Sequence, residues 1–241
     1  MKKIMAVMAL LAAAFVQQLH AQNLVYDANA EVRKVESFHG IEVAGGISVY
    51  ISQGSVQAVA VSADDEKNVS KIKTEVKNGT LSIYVDAKMW NGWNWGNKKI
   101  KAYITVTDLD HLELSGGSVC KITDEIKTDE MDVELHGGSI INGKLSGNKL
   151  QMELSGGSIA NMDAGSFSDA TVDASGGSIL KAYDVDLETC KVDASGGSII
   201  NITCNKEMSA DASGGSIINY KGGGVIKSID SSGGSIVKKK D

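Results

Sequence analysis

Proline is absent from the 241-residue sequence, whereas glycine occurs 27 times. Glycine loses more backbone entropy on folding than any other residue, so a chain this rich in glycine needs an ordered use for it. Beyond its first residues the sequence also lacks any apolar run near the roughly eighteen residues that a membrane-spanning helix needs. We therefore expect no transmembrane segment in the mature chain.

The first residues have the layout of a secretory signal peptide. Lys2 and Lys3 precede an apolar run over residues 4–16, and the small residue Ala21 precedes Gln22. This pattern predicts cleavage after Ala21 and export to the periplasm, the outer cell surface or the medium. No cysteine follows the apolar run, so we do not expect a lipid-anchored form.

Positive charge is scarce in the remaining chain. Without Lys2 and Lys3 there are 22 basic and 30 acidic residues, a net charge of −8. Such a surface repels a phosphate backbone, so nucleic acid is not an expected partner.

The cysteines are Cys120, Cys190 and Cys204. An odd number in an exported monomer leaves at least one free thiol. Two alternatives remain open: all three are buried as small apolar residues, or the chain has one disulfide or a reactive thiol.

A Gly-Gly repeat with a period of about twenty residues organises the second half of the chain. The first glycines of the seven pairs are Gly116, Gly137, Gly156, Gly176, Gly196, Gly214 and Gly233. Apolar positions four and two residues before each pair flank an acidic one, and this alternation predicts a half-buried strand that ends at the glycines. Serine always stands two residues after the first glycine, and valine or isoleucine always follows it.

This repeat predicts an all-β fold, a right-handed single-stranded parallel β-helix with about seven regular coils. Ankyrin and tetratricopeptide units need a longer, helical period, and leucine-rich repeats need a leucine and asparagine spacing that fails here. Stacked coils lie about 4.8 Å apart, so each column of the repeat becomes a ladder. We expect the isoleucine ladder to be buried. Asparagines five residues after four of the first glycines suit left-handed turn residues whose side chains hydrogen-bond along the stack.

The acidic column is a candidate cation-binding ladder. Its members are Glu113, Glu134, Glu153, Asp173, Asp193, Asp211 and Asp230. Stacked carboxylates repel each other unless cations or lysines lie between them, and Ca²⁺ favours several oxygen ligands. The alternative is a solvated acidic face that keeps the sheet soluble, and the nonapeptide of calcium-binding β-rolls is absent.

The first half of the chain is also β-rich but less regular. We assign residues 1–21 to the signal peptide, 22–36 to a lead segment, 37–110 to irregular coils of the same solenoid and 111–241 to the regular coils. Asn78-Gly79 predicts a β-hairpin, and residues 64–70 suit one short helical turn.

The order of these features resembles the GIN-domain family, the putative autotransporter-adhesin head domains of Bacteroidetes. Phe38, Ile41, Val43, Gly45-Gly46 and Asn78-Gly79-Thr80-Leu81 carry the resemblance together with the Gly-Gly-Ser coils, over about residues 35–237. The resemblance implies a secreted right-handed β-helix and supplies no catalytic residues.

All three tryptophans, Trp90, Trp93 and Trp95, lie in one Gly/Asn-rich loop. Exposed aromatic side chains can stack on sugar rings or anchor a partner protein. The alternative is that they fold back onto the irregular coils.

We expect no catalytic residues, no metal centre and no cofactor. His136 replaces serine in its column, and Ser115, Ser155 and Glu134 stand nearby, as a hydrolase would require. No strained nucleophile turn accompanies them, and each position belongs to a repeated column. His39 and His111 are isolated along the chain and show no metal-site spacing.

The leading hypothesis is an exported, non-enzymatic binding or adhesion module of the cell envelope that contacts glycans or a surface protein. Polysaccharide lyases also use this fold, so a carbohydrate-active enzyme is one alternative. Coil lengths vary too little to build an elaborate cleft, however. A purely structural envelope protein is the other alternative.

Overall fold

The computed structural model describes residues 27–85 and 99–241, and within them a single sheet of eighteen strands winds into a solenoid. The first part contains β1 (Glu31–Arg33), β2 (Gly40–Ala44), β3 (Ser48–Gln53), β4 (Ala58–Ser62), the short helix α1 (Glu66–Val69), β5 (Ile72–Lys77), β6 (Thr80–Val85) and β7 (Lys101–Val106). The second part contains β8 (His111–Ser115), β9 (Val119–Ile122), β10 (Ile126–Lys127), β11 (Glu130–Leu135), β12 (Ile140–Leu154), β13 (Ile159–Ala174), β14 (Ile179–Ala194), β15 (Ile199–Ala212), β16 (Ile217–Lys221), β17 (Val225–Ser231) and β18 (Ile236–Lys239).

The predicted parallel stacking is confirmed by the register of the strands. Ile159 pairs with Ile140 on one side and Ile179 on the other, and Ile199 continues the ladder. The seven Gly-Gly corners mark the predicted coils, with about six complete turns between the first corner and the last. Each column of the repeat is therefore a ladder that runs along the solenoid axis.

The apolar columns that flank the acidic one are part of the core. Leu112, Val133, Met152, Val172, Val192 and Ala210 are buried, and so are Leu114, Leu135, Leu154, Ala174, Ala194 and Ala212. In the last coil Ile229 is 41% exposed. The preceding coil covers this residue on one side only.

Each corner is a tight turn whose two glycines both have positive φ angles. At Gly176 and Gly177 the φ angles are 64° and 85°, which is the signature of a type I′ turn. The serine that follows is fully buried, as at Ser178. Its hydroxyl donates a hydrogen bond of 2.7 Å to the carbonyl oxygen of Ser175, at the start of the turn. The repeated serine thus has a hydrogen-bond acceptor for its buried hydroxyl, and this hydrogen bond closes the turn.

The expectation that the isoleucine ladder is buried is wrong. Ser178 points inward, so Ile179 points outward and is only half-buried, while the next residue, Leu180, returns to the core. The ends of this ladder are exposed, by 37% at Val119 and 46% at Ile236. Alternation along the strand therefore places a β-branched ladder on the outer surface.

The prediction for the asparagines is confirmed for their side-chain hydrogen bonds and wrong for their backbone conformation. Asn161 Nδ2 donates to Asn142 Oδ1 at 2.8 Å, and Asn219 Nδ2 donates to Asn201 Oδ1 at 2.9 Å. Among the described residues, Asn78 is the only non-glycine residue with a positive φ. The ladder asparagines are thus ordinary strand residues whose amides bridge neighbouring coils.

The first part of the chain joins the stack and also adds antiparallel strands. β2 and β3 pair in parallel with β8 and β9, whereas β4 runs antiparallel to both β1 and β7. β5 and β6 form the predicted hairpin, with φ angles of 52° at Asn78 and 80° at Gly79. The predicted helical turn is α1, capped by the Asp65 side chain, which accepts from the Lys67 backbone N–H.

Cys120, Cys190 and Cys204 are all free and buried, which confirms the first of the two alternatives for the thiols. No helix in the part of the chain that the structure describes is long and apolar enough to cross a membrane. The expected signal peptide lies outside the described residues.

Candidate functional site

The acidic column forms a continuous ladder on the outer face, and it begins one coil earlier than the sequence repeat indicated. Glu42 of β2 pairs with Glu113 of β8, which in turn pairs with Glu134 of β11. The ladder continues through Glu153, Asp173, Asp193, Asp211 and Asp230. Eight carboxylates thus lie in register at the spacing of parallel strands.

The environment of these carboxylates changes along the ladder. Glu42, Glu113 and Glu134 are half-buried, whereas Glu153 and Asp173 are exposed. Farther along, Lys191 Nζ lies 3.4 Å from Asp193 Oδ2 and offsets its charge. Repulsion between carboxylates is therefore strongest at the first three coils, where less water separates them.

His111 lies beside this crowded end of the ladder. It faces Gly40 of β2 on one side and Asp132 of β11 on the other, and its Nδ1 is 3.4 Å from Asp132 Oδ2. One donor atom from each of His111, Asp132 and Glu134 lies within 4.8 Å of the other two, and the same holds for His111, Glu42 and Glu113. The interpretation of His111 as isolated is wrong, because strand stacking supplies neighbours from distant parts of the chain.

His39 is separate from this group. Its Nδ1 lies 2.8 Å from Asp110 Oδ1, and both side chains are about half exposed.

Glu134 is held from its other side by His136. His136 Nε2 lies 3.3 Å from Glu134 Oε2, and His136 Nδ1 lies 2.7 Å from Ser155 Oγ. These are the three residue types of a hydrolase triad, but they lie on the open outer face of the sheet. Ser155 also has a corner role, because its carbonyl oxygen accepts from both the N–H and the hydroxyl of Ser158. We interpret the two hydrogen bonds of His136 as a link that holds the Glu134 side chain in position.

A groove of about 480 Å³ opens beside His111 and Asp132. Acidic residues dominate its walls, which comprise Asp108, Asp110, His111, Thr128, Asp129, Glu130, Met131, Asp132, Lys149 and Gln151. A concave surface lined mainly by one sign of charge concentrates counter-ions, here cations.

A second surface is the outward ladder of β-branched residues, which we call the isoleucine ridge. It consists of Val119, Ile140, Ile159, Ile179, Ile199, Ile217 and Ile236, paired in register from coil to coil. The asparagine ladder with Lys121, Lys181 and Lys238 runs alongside it, two residues farther along each strand. Seven coils at about 4.8 Å spacing make the ridge roughly 29 Å long.

The structure describes some of the residues proposed as sites and not others. Trp90, Trp93 and Trp95 lie outside the described residues. The acidic column is a ladder of carboxylates in register, and its role in binding cations stays a prediction. The sequence argument missed Glu42 as a member of the column and missed that His111 and Asp132 lie together beside it. Aligning the Gly45-Gly46 pair with the later corners would have placed Glu42 in the acidic column.

Residues 37–224 match the family described as "Putative auto-transporter adhesin, head GIN domain". No curated protein matches the chain.

Solved structures share the fold at low sequence identity. A putative adhesin from Bacteroides fragilis superposes with a TM-score of 0.80 at 22% identity, over 88% of this chain and 96% of that one. A putative lipid binding protein from Parabacteroides distasonis gives 0.65 at 21% identity, over 89% and 98%. A putative adhesin from Parabacteroides merdae gives 0.65 at 17% identity, over 88% and 95%.

Proposed function

Because the chain belongs to the family of putative auto-transporter adhesin head GIN domains, we propose that it is an exported, non-enzymatic binding module of the adhesion type. Its partner is a protein of the cell envelope or of a surface that the cell meets. Lys2, Lys3 and the apolar run that follows them support export.

The observation that carries this proposal is the isoleucine ridge. Its members point away from the core, so the fold needs only a strand-forming residue at these positions, and threonine would serve as well. Seven successive coils nevertheless present valine or isoleucine to solvent. A continuous apolar stripe with a polar border is typical of a protein interaction surface.

The chemistry of the ridge favours a protein over a glycan. Sugar rings stack on aromatic faces, and the ridge is aliphatic throughout. A glycan would instead depend on Trp90, Trp93 and Trp95, so the two kinds of ligand can be separated by mutation.

Lipid is a less suitable ligand for the interior. A relative from Parabacteroides distasonis bears the name putative lipid binding protein. The void between Leu150, Phe167 and Leu187 in this chain has a volume of about 10 Å³, which is about one water-sized probe. An acyl chain therefore has no room at this point of the core.

The proposal is tested with the purified protein immobilised on beads and exposed to solubilised envelope proteins. Captured proteins are identified, purified and titrated against the wild type and an Ile159→Thr/Ile179→Thr/Ile199→Thr variant. We expect the ridge variant to fold and to bind at least tenfold more weakly, because apolar contacts at the centre of an interface dominate its affinity. An Asp173→Asn/Asp211→Asn variant, altered on the acidic ladder, is the matched control.

Unchanged affinity in the folded ridge variant would refute the proposal. A glycan array probed with wild type and with a Trp93→Ala/Trp95→Ala variant tests the glycan alternative. Release of reducing or unsaturated sugars from acidic polysaccharides would instead support a carbohydrate-active enzyme.

A further inference from the structure

His111, Asp132 and Glu134 bring one nitrogen and two carboxylate donors together on the outer face of β8 and β11. All three side chains are half-buried, so an ion could reach them while water screens them less than at a fully exposed site. Gly40 occupies the position next to His111 on β2. Gly40 has no side chain of its own, and the Thr80 side chain lies where one would be.

The distances suit a small tetrahedral cation. Ligand atoms bound to Zn²⁺ at 2.0–2.1 Å lie about 3.3 Å from one another. The separation between His111 Nδ1 and Asp132 Oδ2 is already 3.4 Å. Glu134 has a donor atom within 4.8 Å of both neighbours, and rotation about its side-chain torsions would close the remaining gap.

A second observation, independent of the distances, is that one carboxylate oxygen of Asp132 lacks a partner in the described part of the chain. Its Oδ1 atom is buried and accepts no hydrogen bond from any residue that the structure describes. A buried acceptor without a partner costs about 1–3 kcal/mol, and more when the group is charged. A cation bound at Oδ2 would offset part of that cost by giving the carboxylate a positive neighbour.

The surrounding charge favours a cation at this position. Glu42 and Glu113 lie in register beside Glu134. Across residues 27–85 and 99–241, neither Glu42 nor Glu113 forms an ion pair with a lysine or an arginine. The acid-lined groove opens beside two of the proposed ligands, His111 and Asp132, and would raise the local concentration of cations there.

Glu134 is also oriented by a neighbouring residue. His136 Nε2 lies 3.3 Å from Glu134 Oε2, which leaves Glu134 Oε1 free to bind an ion. Metal ligands are commonly held by such outer hydrogen bonds.

We propose that His111, Asp132 and Glu134 bind one divalent transition-metal ion of the Zn²⁺ class. An imidazole combined with two carboxylates is a typical Zn²⁺ ligand set, whereas Ca²⁺ takes six to eight oxygen ligands. With three protein ligands the fourth position stays open to water or to a donor from a partner. The site goes beyond the proposed adhesion function and does not depend on it.

The test is calorimetric titration of the purified protein with Zn²⁺ after treatment with a chelator. We expect one ion per chain, and we expect His111→Asn and Asp132→Asn each to weaken binding at least tenfold. Ca²⁺ should bind at least tenfold more weakly than Zn²⁺. Far-UV circular dichroism checks that each variant is folded.

Two controls test the identity of the ligands. His39→Asn removes an exposed imidazole that also has a carboxylate neighbour, and Glu42→Gln removes a nearby carboxylate outside the set. His39→Asn should change the affinity by less than about threefold. Glu42→Gln should weaken binding less than the ligand variants do, since Glu42 contributes charge but no ligand. Absence of Zn²⁺ binding, equal binding by the His111→Asn variant, or a loss with Glu42→Gln as large as with Asp132→Asn would overturn the proposal. Partner binding measured with chelator present reports on the adhesion function separately.

Discussion

The Ser198 hydroxyl lies 2.9 Å from the carbonyl oxygen of Ala174, in the coil beneath, and its hydrogen bond ties two coils together. The same hydroxyl is 2.9 Å from the carbonyl oxygen of Ser195, at the start of its own corner. Ser198 is fully buried. The corner serine is therefore a polar part of the core whose buried hydroxyl is held by backbone carbonyl oxygens.

We predict that Ser198→Ala lowers the free energy of unfolding by about 1 kcal/mol, because it removes a buried hydroxyl and its hydrogen bond, while the Ala174 and Ser195 carbonyl oxygens keep their backbone N–H donors. Urea unfolding followed by circular dichroism measures the change. Ser195→Ala is the matched control and should cost less than about 0.5 kcal/mol, since the Ser195 side chain is only half-buried. Equal losses in the two variants would show that the hydroxyl of Ser198 contributes nothing specific.

A second prediction concerns two glycines with different surroundings. A Cβ atom at Gly165 would lie 1.8 Å from the carbonyl oxygen of Leu145, whereas at Gly177 it would meet nothing within 4 Å. Gly177→Ala should cost about 1–2 kcal/mol, from the positive φ of 85° alone. Gly165→Ala should cost more than about 4 kcal/mol or prevent folding, because backbone must move to make room. Thermal unfolding of both variants compares them, and similar midpoints would contradict the close approach at Gly165.

The parallel stack could be predicted from the sequence because each column has one chemical character. Parallel strands in register place like residues beside each other, so the corner glycines and the acidic positions are visible as repeats. The hairpin at Asn78-Gly79 could be predicted for a different reason. Its backbone angles are a local property of these two residues.

The orientation of the isoleucine ridge could not be predicted by the same argument. Alternation along a strand shows which residues share a face. It does not show which face points into the core when one face carries serine and the other carries isoleucine. Ser178 is inside because the corner gives its hydroxyl a carbonyl acceptor. The outward position of Ile179 follows from that hydrogen bond, which hydrophobicity does not reveal.

The neighbours of His111 were hidden for a topological reason. Glu42 belongs to a coil whose corner reads Gly45-Gly46-Ile47, without the serine of the later repeats. The long excursion through β4, α1, β5, β6 and β7 then separates β3 from β8 along the chain. The twenty-residue spacing therefore gives no sign that β2 and β8 are adjacent, and only the Gly45-Gly46 pair with Glu42 three residues before it indicates this.

The buried thiols lead to a third prediction, that the native protein is inert to thiol reagents. Burial raises the pKa of the Cys120 thiol to about 12, so at pH 8 only about one molecule in ten thousand carries the reactive thiolate. A hydrogen bond with Cys204, together with burial, raises the pKa of Cys190 as well. The same hydrogen bond lowers the pKa of Cys204, but Cys204 is only 1% exposed, so a bulky reagent cannot reach its sulfur in the native protein. Labelling with an aromatic disulfide at pH 8 should modify almost no thiol in the native protein and three in guanidinium chloride. Rapid labelling of one native thiol would contradict this arrangement.

The last prediction concerns Asp27, which ties the start of the described chain to β7. Tyr103 donates a hydrogen bond of 2.8 Å to Asp27 Oδ2, and Lys101 Nζ lies 3.0 Å from the same oxygen. Burial of Asp27 raises its pKa, but the hydrogen bonds from Tyr103, Lys101 and Ser62 outweigh that effect and lower the pKa from 3.8 to about 2. Because the folded-state pKa is the lower one, the carboxylate stabilises the protein above about pH 4 and loses this effect as the pH falls toward 2.

Asp27→Asn should therefore lower the free energy of unfolding at pH 7 by about 1–2 kcal/mol, a range that allows for solvent screening of the partly exposed Lys101. The difference between wild type and variant should shrink steadily between pH 4 and pH 2. Urea unfolding at a series of pH values measures it, with Asp163→Asn, an exposed aspartate of β13, as the control that changes little at any pH. If the difference in the free energy of unfolding stays constant down to pH 2, the charge of Asp27 does not hold the segment. The shape of its side chain would then be responsible.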